Sequence, residues 1–338
     1  MKAVRYHGPQ QPFVLEDVAR PTPGPGEVLV QVTAAGMCHT ELHFQSGLLN
    51  LGVQPITMGH EVVGRIAEVG PQVDAARVGE RVIVYYYQGC NACVYCREGE
   101  ENLCPSLQAE QGFITDGGYA EYVIATSRNA VPLPDHLTDA EAAPIGCSVT
   151  TAVHATRLTK LAFGEWAVVY GIGGVGFALV QLARAMGARV IAVGRTPAKL
   201  EKARELGAEH VVNAAETEAA AQIRALTNGQ GADVVFECVG TAETMKEASA
   251  ALGRKGRLIF IGYSEASFEV HPIQLVVFEQ QVMGSVGATL DDLYTAVDLA
   301  ARGIVKPLVD RTLPLERFEE GLQAMQDGTL IGKAVLVP

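Results

Sequence analysis

The sequence lacks long apolar runs, and its basic residues are outnumbered by its acidic residues. The longest apolar run, Ala167 to Val180, is rich in glycine and shorter than the ~20 residues that a membrane-spanning helix needs. No apolar stretch of the ~7–15 residues typical of a secretory leader follows Lys2 and Arg5, so we expect a cytoplasmic protein with no membrane partner. The 26 basic residues face 38 acidic ones, and the resulting net charge of −12 argues against nucleic acid as a partner.

Charged residues are also sparse, at 19% of the 338 residues, whereas apolar residues make up 48%. This composition excludes a disordered chain, and the length predicts two domains at a prior of roughly 150 residues each. Residues 1 to about 140 consist of short β-rich segments broken by turns, which predicts a barrel-like domain. From about Trp166, apolar strands alternate with helices, which is typical of an α/β fold with a parallel sheet.

The second half of the chain contains four apolar segments that we predict as strands: Ala167–Tyr170, Arg189–Val193, Val234–Cys238 and Arg257–Ile261. Between them, Thr196–Leu206 is predicted as a helix, because Pro197 suits the first helical position and Gly207 suits the stop. A last strand, Lys333–Val337, is expected to return to the first domain.

Four of the seven cysteines follow one another at short spacing, as Cys90, Cys93, Cys96 and Cys104. Thiols remain reduced in the cytoplasm, so this pattern indicates metal ligands before it indicates disulfides. Four thiolates surround one tetrahedral zinc ion and leave no position for a substrate, which predicts a structural zinc site. An iron–sulfur cluster and unligated thiols are the alternatives.

A second group of candidate ligands is scattered along the chain, as Cys38, His60 and Cys147. Two cysteines and one histidine are an attested ligand set for a catalytic zinc ion, which keeps one open position. Taken singly, a buried cysteine is usually a small hydrophobic residue and a histidine a hydrogen-bonded core residue. Cys238, the remaining cysteine, is expected to pack in the core.

A glycine-rich turn follows the first predicted strand of the second half. The turn consists of Gly171, Ile172, Gly173, Gly174, Val175 and Gly176, and a predicted helix over 177–186 comes after it. In this context the pattern predicts a dinucleotide-binding loop, with the pyrophosphate at the helix N-terminus. The alternative is a glycine-rich turn in an ordinary α/β unit.

The end of the next predicted strand selects the cofactor. NAD sites usually carry an acidic residue here to bind the ribose 2′-hydroxyl, but this sequence has Gly194, Arg195 and Thr196. Without the carboxylate, a 2′-phosphate is not repelled, and Arg195 is able to pair with it. We therefore predict a preference for NADP(H) over NAD(H). A solvated Arg195 at a site that accepts both cofactors is the alternative.

Together these motifs resemble the zinc-dependent medium-chain alcohol dehydrogenases over nearly the whole chain. The segment Gly59-His60-Glu61-Val62-Val63-Gly64, with Gly70 and Val73 following, is similar to the zinc signature of that family. The resemblance implies a GroES-like catalytic domain with a structural zinc lobe over residues 1–140. It further implies a Rossmann domain with a doubly wound parallel sheet over residues 141–285, and a segment 286–338 that returns to the catalytic domain. A homodimer or homotetramer is also expected.

The resemblance assigns roles around the catalytic metal. Cys38, His60 and Cys147 match the three ligands of the catalytic zinc. Glu61 matches the neighbouring glutamate that approaches the metal during ligand exchange. Glu41 matches a carboxylate that orients His60.

Further roles follow from the same resemblance. Thr40 matches the hydroxyl that bonds the substrate oxygen, and His43 matches the histidine that passes the proton to solvent. His39 and Lys333 match contacts to the pyrophosphate, with a solvated surface role as the alternative. Tyr86 matches an aromatic residue of the substrate pocket, with an ordinary strand tyrosine as the alternative.

The implied activity is the zinc-dependent interconversion of an alcohol and an aldehyde or ketone, with hydride transfer to or from the nicotinamide cofactor. A zinc-independent enoyl or quinone reductase of the same superfamily is one alternative, and the three scattered ligands argue against it. A protein that binds NADPH or zinc without catalysis is the other. The sequence does not identify the substrate beyond a small alcohol or carbonyl compound.

Overall fold

The computed structural model describes all residues from 1 to 338. The chain forms two compact units. The first contains Met1–Cys147, Thr289–Ala301 and Pro307–Pro338, and the second contains Ser148–Ala288 and Arg302–Lys306. None of the helices combines the length and the apolar character that crossing a bilayer requires.

Residues 1–147 contain ten strands and three α-helices. The strands are β1 (Lys2–Tyr6), β2 (Val14–Asp17), β3 (Glu27–Gly36), β4 (Ile56–Thr57), β5 (Glu61–Val69), β6 (Arg81–Val84), β7 (Tyr87–Gln88), β8 (Ala109–Glu110), β9 (Tyr122–Thr126) and β10 (Ala130–Pro132). The helices are α1 (Thr40–Ser46), α2 (Val94–Glu98) and α3 (Asp139–Ala142), with short 3₁₀ turns at Ala75–Arg77, Glu101–Leu103 and Ala143–Gly146.

Residues 148–288 alternate between helices and strands. In chain order these are α4 (Ser148–Thr159), β11 (Trp166–Tyr170), α5 (Gly174–Ala185), β12 (Arg189–Gly194), α6 (Pro197–Glu205), β13 (His210–Asn213), α7 (Ala219–Leu226), β14 (Ala232–Glu237), α8 (Ala242–Ala251), β15 (Leu252–Phe260), α9 (Pro272–Phe278) and β16 (Gln281–Gly284). The last part of the chain contains α10 (Leu290–Ala301), β17 (Val309–Pro314), a 3₁₀ turn at Leu315–Arg317, α11 (Phe318–Gln326) and β18 (Lys333–Val337).

The main sheet of the first unit is built from both ends of the chain. Its strand order is β10-β6-β5-β3-β18-β17, and β9 also pairs with β3. The last strand, β18, runs antiparallel to β3 with Val335 opposite Gly36, and parallel to β17. Apolar side chains from both ends form one buried cluster that includes Val30, Phe44 and Leu336. Burial of this cluster therefore holds the C-terminal strand beside the residues that follow β3.

The second unit contains a six-stranded parallel sheet in the order β13-β12-β11-β14-β15-β16. Its central strand β11 is buried at every residue, as expected for a strand covered by helices on both faces. The order reverses between β11 and β14, because the chain first builds outward on one side of β11 and then on the other. This is the doubly wound α/β fold that the alternating pattern predicts.

The strands of this sheet follow the sequence prediction closely. β11, β12 and β15 contain or nearly match the predicted apolar segments, and α6 has Thr196 as its N-cap and Pro197 in its first turn. The predicted end of β14 was wrong: the strand ends at Glu237, so Cys238 lies in the turn after it and is only half-buried. The chain leaves the sheet at this point because the side chain of Glu237 binds the backbone of that turn.

Candidate active site and metal centres

Three segments of the first unit supply the scattered ligands. Cys38 lies between β3 and α1, and its N–H donates to Glu41 Oε2 at 2.6 Å. His60 lies just before β5, after a glycine with φ of 97°. A Cβ at that residue, Gly59, would overlap the ring of Tyr119, so the close approach requires glycine. Cys147 ends the 3₁₀ turn that follows α3.

These segments bring one set of ligand atoms together. One ligand atom each from Cys38, His60, Glu61 and Cys147 lies within 4.8 Å of all the others. His60 and Glu61 are buried, and Glu61 Oε2 has no hydrogen-bond partner. Two thiols and an imidazole are a donor set that fits zinc, and the orphaned carboxylate oxygen beside them fits a group that meets a cation. The residues present therefore fit the implied catalytic metal.

The electrostatics of this cluster favour a thiolate. The contact with the Cys147 thiol holds the pKa of Cys38 well below its ordinary value, with help from the charge of Lys333 and against the effect of burial. The same contact raises the pKa of Cys147. Thiolates are the form in which cysteine binds a metal, so this environment suits a ligand set.

Lys333 reaches the cluster from β18. Its Nζ donates to Glu61 Oε1 at 2.6 Å and to the carbonyl of Met37 at 2.9 Å. The charges of Cys38 and Glu61 raise the pKa of Lys333 against the effect of burial, so the side chain stays cationic. Burial raises the pKa of Glu61 to about 7, although the neighbouring ammonium lowers it. The structure thus places Lys333 on a carboxylate of the metal cluster, and its predicted pyrophosphate contact stays a prediction.

Helix α1 carries the residues assigned to proton transfer. The Thr40 hydroxyl donates to Cys38 Sγ at 3.5 Å. The rings of His39 and His43 lie one helical turn apart, with their centroids separated by 5.2 Å in an edge-to-face arrangement. Burial, followed by the charge of His39, lowers the pKa of His43 below 6.5. These residues lie beside the ligand set on a single short helix.

The predicted contact between Glu41 and His60 takes a different form. Glu41 is fully buried and accepts the N–H of Cys38, whereas its Oε1 and the Nδ1 of His60 both have no hydrogen-bond partner. Burial raises the pKa of Glu41 to about 8. In the structure Glu41 therefore orients the backbone of one ligand directly, and its role toward His60 stays a prediction.

Aromatic rings cover one side of His60. Tyr86 is buried, with its ring centroid 5.2 Å from that of His60. Phe113 lies 5.1 Å from the same imidazole and stacks on Tyr86 at 6.1 Å. Nearby, burial raises the pKa of Glu110 to about 7. The sequence analysis named Tyr86 but missed Phe113, because a single aromatic residue in a loop belongs to no motif.

The second metal centre is the four-cysteine cluster. The ligand atoms of Cys90, Cys93, Cys96 and Cys104 all lie within 4.8 Å of one another, with Sγ–Sγ distances of 4.0 Å between Cys90 and Cys96 and 3.9 Å between Cys93 and Cys104. Backbone N–H groups donate to the sulfur atoms of Cys90, Cys93 and Cys104. The backbone N–H groups of Ala92 and Cys93 lower the pKa of Cys90 to about 6. Four sulfur donors in this arrangement fit a structural zinc ion.

The glycine-rich turn of the second unit joins β11 to α5. Gly171 has φ of 96°, and the space above Gly173 is open, with no atom within 4 Å of an added Cβ. A Cβ at Gly176 would overlap the carbonyl oxygen of Gly171, so glycine is required where the helix packs on the turn. Gly174 and Val175 form the first turn of α5, where backbone N–H groups have no intrahelical acceptor. The turn therefore offers donors to an anion at an open backbone surface.

The end of β12 has no carboxylate. Gly194 ends the strand, and the next two residues, Arg195 and Thr196, are exposed. Arg195 forms no ion pair, and the Thr196 side chain makes no capping hydrogen bond although it lies at the N-cap of α6. A free guanidinium and a free hydroxyl are thus exposed at the position where the sequence predicts the 2′-group of the adenosine ribose.

Comparisons with known proteins agree with this site. Residues 24–135 match the family model described as alcohol dehydrogenase GroES-like domain, and residues 174–302 match the model described as zinc-binding dehydrogenase. An alcohol dehydrogenase of Geobacillus stearothermophilus is 38% identical over 99% of both chains. An NAD-dependent alcohol dehydrogenase of Sulfurisphaera tokodaii is 35% identical over 100% of both. The crystal structure of the alcohol dehydrogenase of Aeropyrum pernix has a TM-score of 0.94, with 34% identity over the whole of both chains.

The fold and the site thus define a dehydrogenase with a GroES-like domain and a Rossmann domain. The chain belongs to the zinc-type medium-chain alcohol dehydrogenase family. Alcohol dehydrogenase activity on a small molecule follows from that membership.

Proposed function

We propose that this enzyme requires zinc and interconverts an alcohol and an aldehyde or ketone by hydride transfer with NADP(H). The observation that carries the proposal is the convergence of Cys38, His60, Glu61 and Cys147 within 4.8 Å. These residues are separated by up to 109 positions in the sequence, so only the fold brings them together. An enoyl or quinone reductase without a catalytic metal has no need for this ligand set.

Cys38, His60 and Cys147 would hold the catalytic zinc, which when bound supplies a Lewis acid that polarises the substrate oxygen. Thr40, beside the Cys38 thiol, accepts the proton of the alcohol. His43, three residues further along α1, passes this proton to solvent. Because the pKa of His43 is lowered, its ring is neutral at neutral pH and ready to accept the proton. Tyr86 is proposed to line the substrate pocket.

The NADP(H) preference is supported by the free side chains at the end of β12. Arg195 has no ion-pair partner there, and Gly194 leaves no carboxylate to repel a 2′-phosphate. A guanidinium pairs well with a phosphate through charge-assisted hydrogen bonds. Two of the similar proteins are named NAD-dependent, so the proposal states a difference in cofactor choice from those relatives. His39 and Lys333 remain proposed contacts to the pyrophosphate.

A second, structural zinc ion is proposed at Cys90, Cys93, Cys96 and Cys104. We also propose a cytoplasmic location, where the thiols of both clusters would stay reduced. We further propose a homodimer or homotetramer. Helix α9 exposes Ile273 and Val276 by 75% and 76%, next to the edge strand β16, whose outer backbone groups are unpaired.

Metal analysis combined with a substrate screen tests the proposal. The purified chain is expected to contain two zinc ions and to turn over members of a panel of alcohols, aldehydes and ketones with NADP(H). One zinc ion per chain with activity only on enones would support the reductase instead. Two zinc ions with no turnover on the whole panel would support a binding protein.

A matched pair of cysteine variants makes the test specific. Cys38→Ser is expected to lose one zinc ion and turnover while it still binds the cofactor. Cys238→Ser, which changes a cysteine outside both clusters, is expected to keep both zinc ions. Full activity of Cys38→Ser would refute the catalytic assignment.

A further inference from the structure

A buried carboxylate closes the end of β14. Glu237 is completely buried, and no basic side chain forms an ion pair with it. Its Oε1 accepts the N–H groups of Val239 and Gly240 at 2.9 Å and 3.1 Å, and its Oε2 accepts the same N–H of Gly240 at 2.9 Å. All of these bonds go to the turn that follows the strand, so the carboxylate fixes the conformation of that turn.

This turn lies at the switch point of the parallel sheet. β11 and β14 are neighbours, and the chain leaves them toward opposite edges of the sheet. The turns after the two strands touch, since a Cβ at Gly171 would lie 2.6 Å from a methyl group of Val239. In doubly wound sheets, ligands bind in the crevice outside the carboxyl ends of the strands at this point. The turn after β14 is therefore one wall of the nucleotide crevice.

The hydrogen bonds of Glu237 decide which backbone atoms this wall presents. A trans peptide group is planar, and its N–H and C=O point in opposite directions. Because the N–H groups of Val239 and Gly240 point at Glu237, the carbonyl groups of Cys238 and Val239 point away from it. Neither carbonyl accepts a hydrogen bond in the structure. The turn after β14 thus offers two free carbonyl acceptors. Its two N–H donors are occupied by Glu237 and are not available to bind a phosphate.

The position of the wall indicates which half of the dinucleotide it meets. β12, which carries Arg195 at its end, lies on one side of β11, and β14 lies on the other. In this fold the adenosine ribose meets the end of the strand equivalent to β12, and the pyrophosphate meets the glycine-rich turn. The nicotinamide half of the dinucleotide is then expected on the side of the sheet where β14 lies. Its ribose hydroxyls and carboxamide are hydrogen-bond donors that match free carbonyl acceptors.

We propose that Glu237 is a positioning residue for the cofactor: it holds the carbonyl groups of Cys238 and Val239 toward the donors of the nicotinamide half. The proposal rests on the dinucleotide site of the proposed function. It adds a residue that touches no cofactor atom itself and acts through the backbone of the turn.

Comparing the affinity for the whole cofactor with the affinity for its adenosine half distinguishes a positioning role of Glu237 from general structural support. We would titrate the full chain with NADPH by nicotinamide fluorescence, and with 2′,5′-ADP by calorimetry. In Glu237→Gln, an amide donor faces the N–H of Gly240, and the Kd for NADPH is expected to rise about tenfold, the size of one lost charge-assisted hydrogen bond. The Kd for 2′,5′-ADP is expected to stay unchanged.

Two further variants complete the design. Glu243→Gln removes the same charge from an exposed residue in the first turn of α8 and is expected to bind both ligands as the wild type does. Glu237→Asp keeps the acceptor atoms and is expected to bind NADPH more tightly than the glutamine variant. It also provides the comparison if the glutamine variant does not fold.

The outcomes are distinct. Equal weakening of both ligands, or no weakening of either, would overturn the role of Glu237. A wild-type chain that binds 2′,5′-ADP but not NADPH would likewise overturn it. A wild-type chain that binds none of these ligands would instead refute the dinucleotide site on which the proposal rests.

Discussion

The buried Lys333 side chain stays charged because two acceptors form hydrogen bonds with its ammonium group. The Glu61 carboxylate and the Met37 carbonyl both lie within hydrogen-bond distance of its Nζ. Removing one partner of a buried ion pair leaves the other charge without compensation, which typically costs about 3–5 kcal/mol of unfolding free energy. Loss of Lys333 would leave the carboxylate of Glu61, a member of the metal cluster, buried without its partner. The pair therefore links the last strand of the chain to the chemistry of the site.

Arg195 is the residue on which the proposed preference for NADP(H) depends. Arg195→Ala is expected to lower kcat/KM for NADPH by about tenfold or more and to leave kcat/KM for NADH nearly unchanged, because a charge-assisted bond to the 2′-phosphate is lost. Steady-state kinetics with both cofactors provide the measurement. Lys246→Ala, which removes an exposed cation from α8, is the control and should change neither value. A wild-type preference for NADH that survives Arg195→Ala would contradict the assignment.

The proposed role of His43 in proton transfer predicts a pH dependence. Its pKa is lowered by burial, so the ring is neutral and basic at neutral pH and becomes protonated only as the pH falls through that lowered value. In His43→Gln, alcohol oxidation is expected to be slowed most just above the lowered pKa of His43, where the wild-type ring is still neutral and solvent is a poor proton acceptor. Profiles of kcat between about pH 5 and pH 8 would show this, since these limits span the range in which histidine changes its charge. Parallel profiles of the two proteins would remove His43 from the relay.

Single residues were predictable where they belong to spacing patterns and unpredictable where they do not. The four clustered cysteines and the glycines of the turn are short-range patterns, and the ligand atoms and close approaches of the structure agree with them. The contact of Lys333 with Glu61 spans 272 residues, and no local pattern encodes it. Phe113 lies against His60 for the same reason: the fold places its loop there.

At the scale of elements, the segment 90–104 carries the four-cysteine cluster, and we call it the zinc lobe. It contains very little secondary structure of its own. α2 has five residues, none of them buried, so the cysteine cluster supplies most of its order. Cys93→Ser is therefore expected to lose one zinc ion per chain and to lower the melting temperature by about 5 °C or more, because metal binding contributes directly to folding. Metal analysis and thermal unfolding followed by circular dichroism provide the measurement.

The corresponding control is Cys238→Ser, which should keep both zinc ions, since Cys238 belongs to neither ligand cluster. A Cys93→Ser variant that is stable and keeps two zinc ions, yet is inactive, would contradict a purely structural role for this cluster.

The regular elements of the second unit were predictable because apolar strands that are buried on both faces stand out in the sequence. β13 was not predictable in this way, because it has only one buried residue and lies at the edge of the sheet. The predicted start of β15 was too late, because Arg254 and Lys255 are exposed and interrupt the apolar pattern. At Cys238 the strand pattern continued into the turn, and only the hydrogen bonds of Glu237 show where the strand ends.

At the scale of the whole molecule, the apolar face of α9 predicts self-association. Val276→Glu places a charge on a side chain that is 76% exposed in the single chain, and we expect it to dissociate the oligomer while zinc content is retained. Light scattering coupled to size-exclusion chromatography measures the mass. Val94→Glu, on the zinc lobe, is the matched control. A monomeric wild type, or an unchanged mass of Val276→Glu, would contradict the proposed interface.

The division of the chain into segments 1–140, 141–285 and 286–338 stays a prediction at this scale. The structure groups the chain into a unit that contains Met1–Cys147 with most of the C-terminal residues, and a unit that contains Ser148–Ala288. The residue pattern changes from short β-rich segments to apolar strands that alternate with helices. This pattern alone does not show where α4 begins relative to Cys147. That detail depends on which residues the fold buries together.

The position of β18 has a consequence for vectorial synthesis. This strand lies between β3 and β17 in the sheet, yet a ribosome makes its residues only after nearly all the others. The parallel sheet of residues 148–288 is complete long before that moment, so it is able to fold while the nascent chain is still growing. The N-terminal strands must wait for a partner almost 300 residues downstream. Emergence of β18 from the ribosome would therefore be the event that delivers the buried ammonium to its carboxylate.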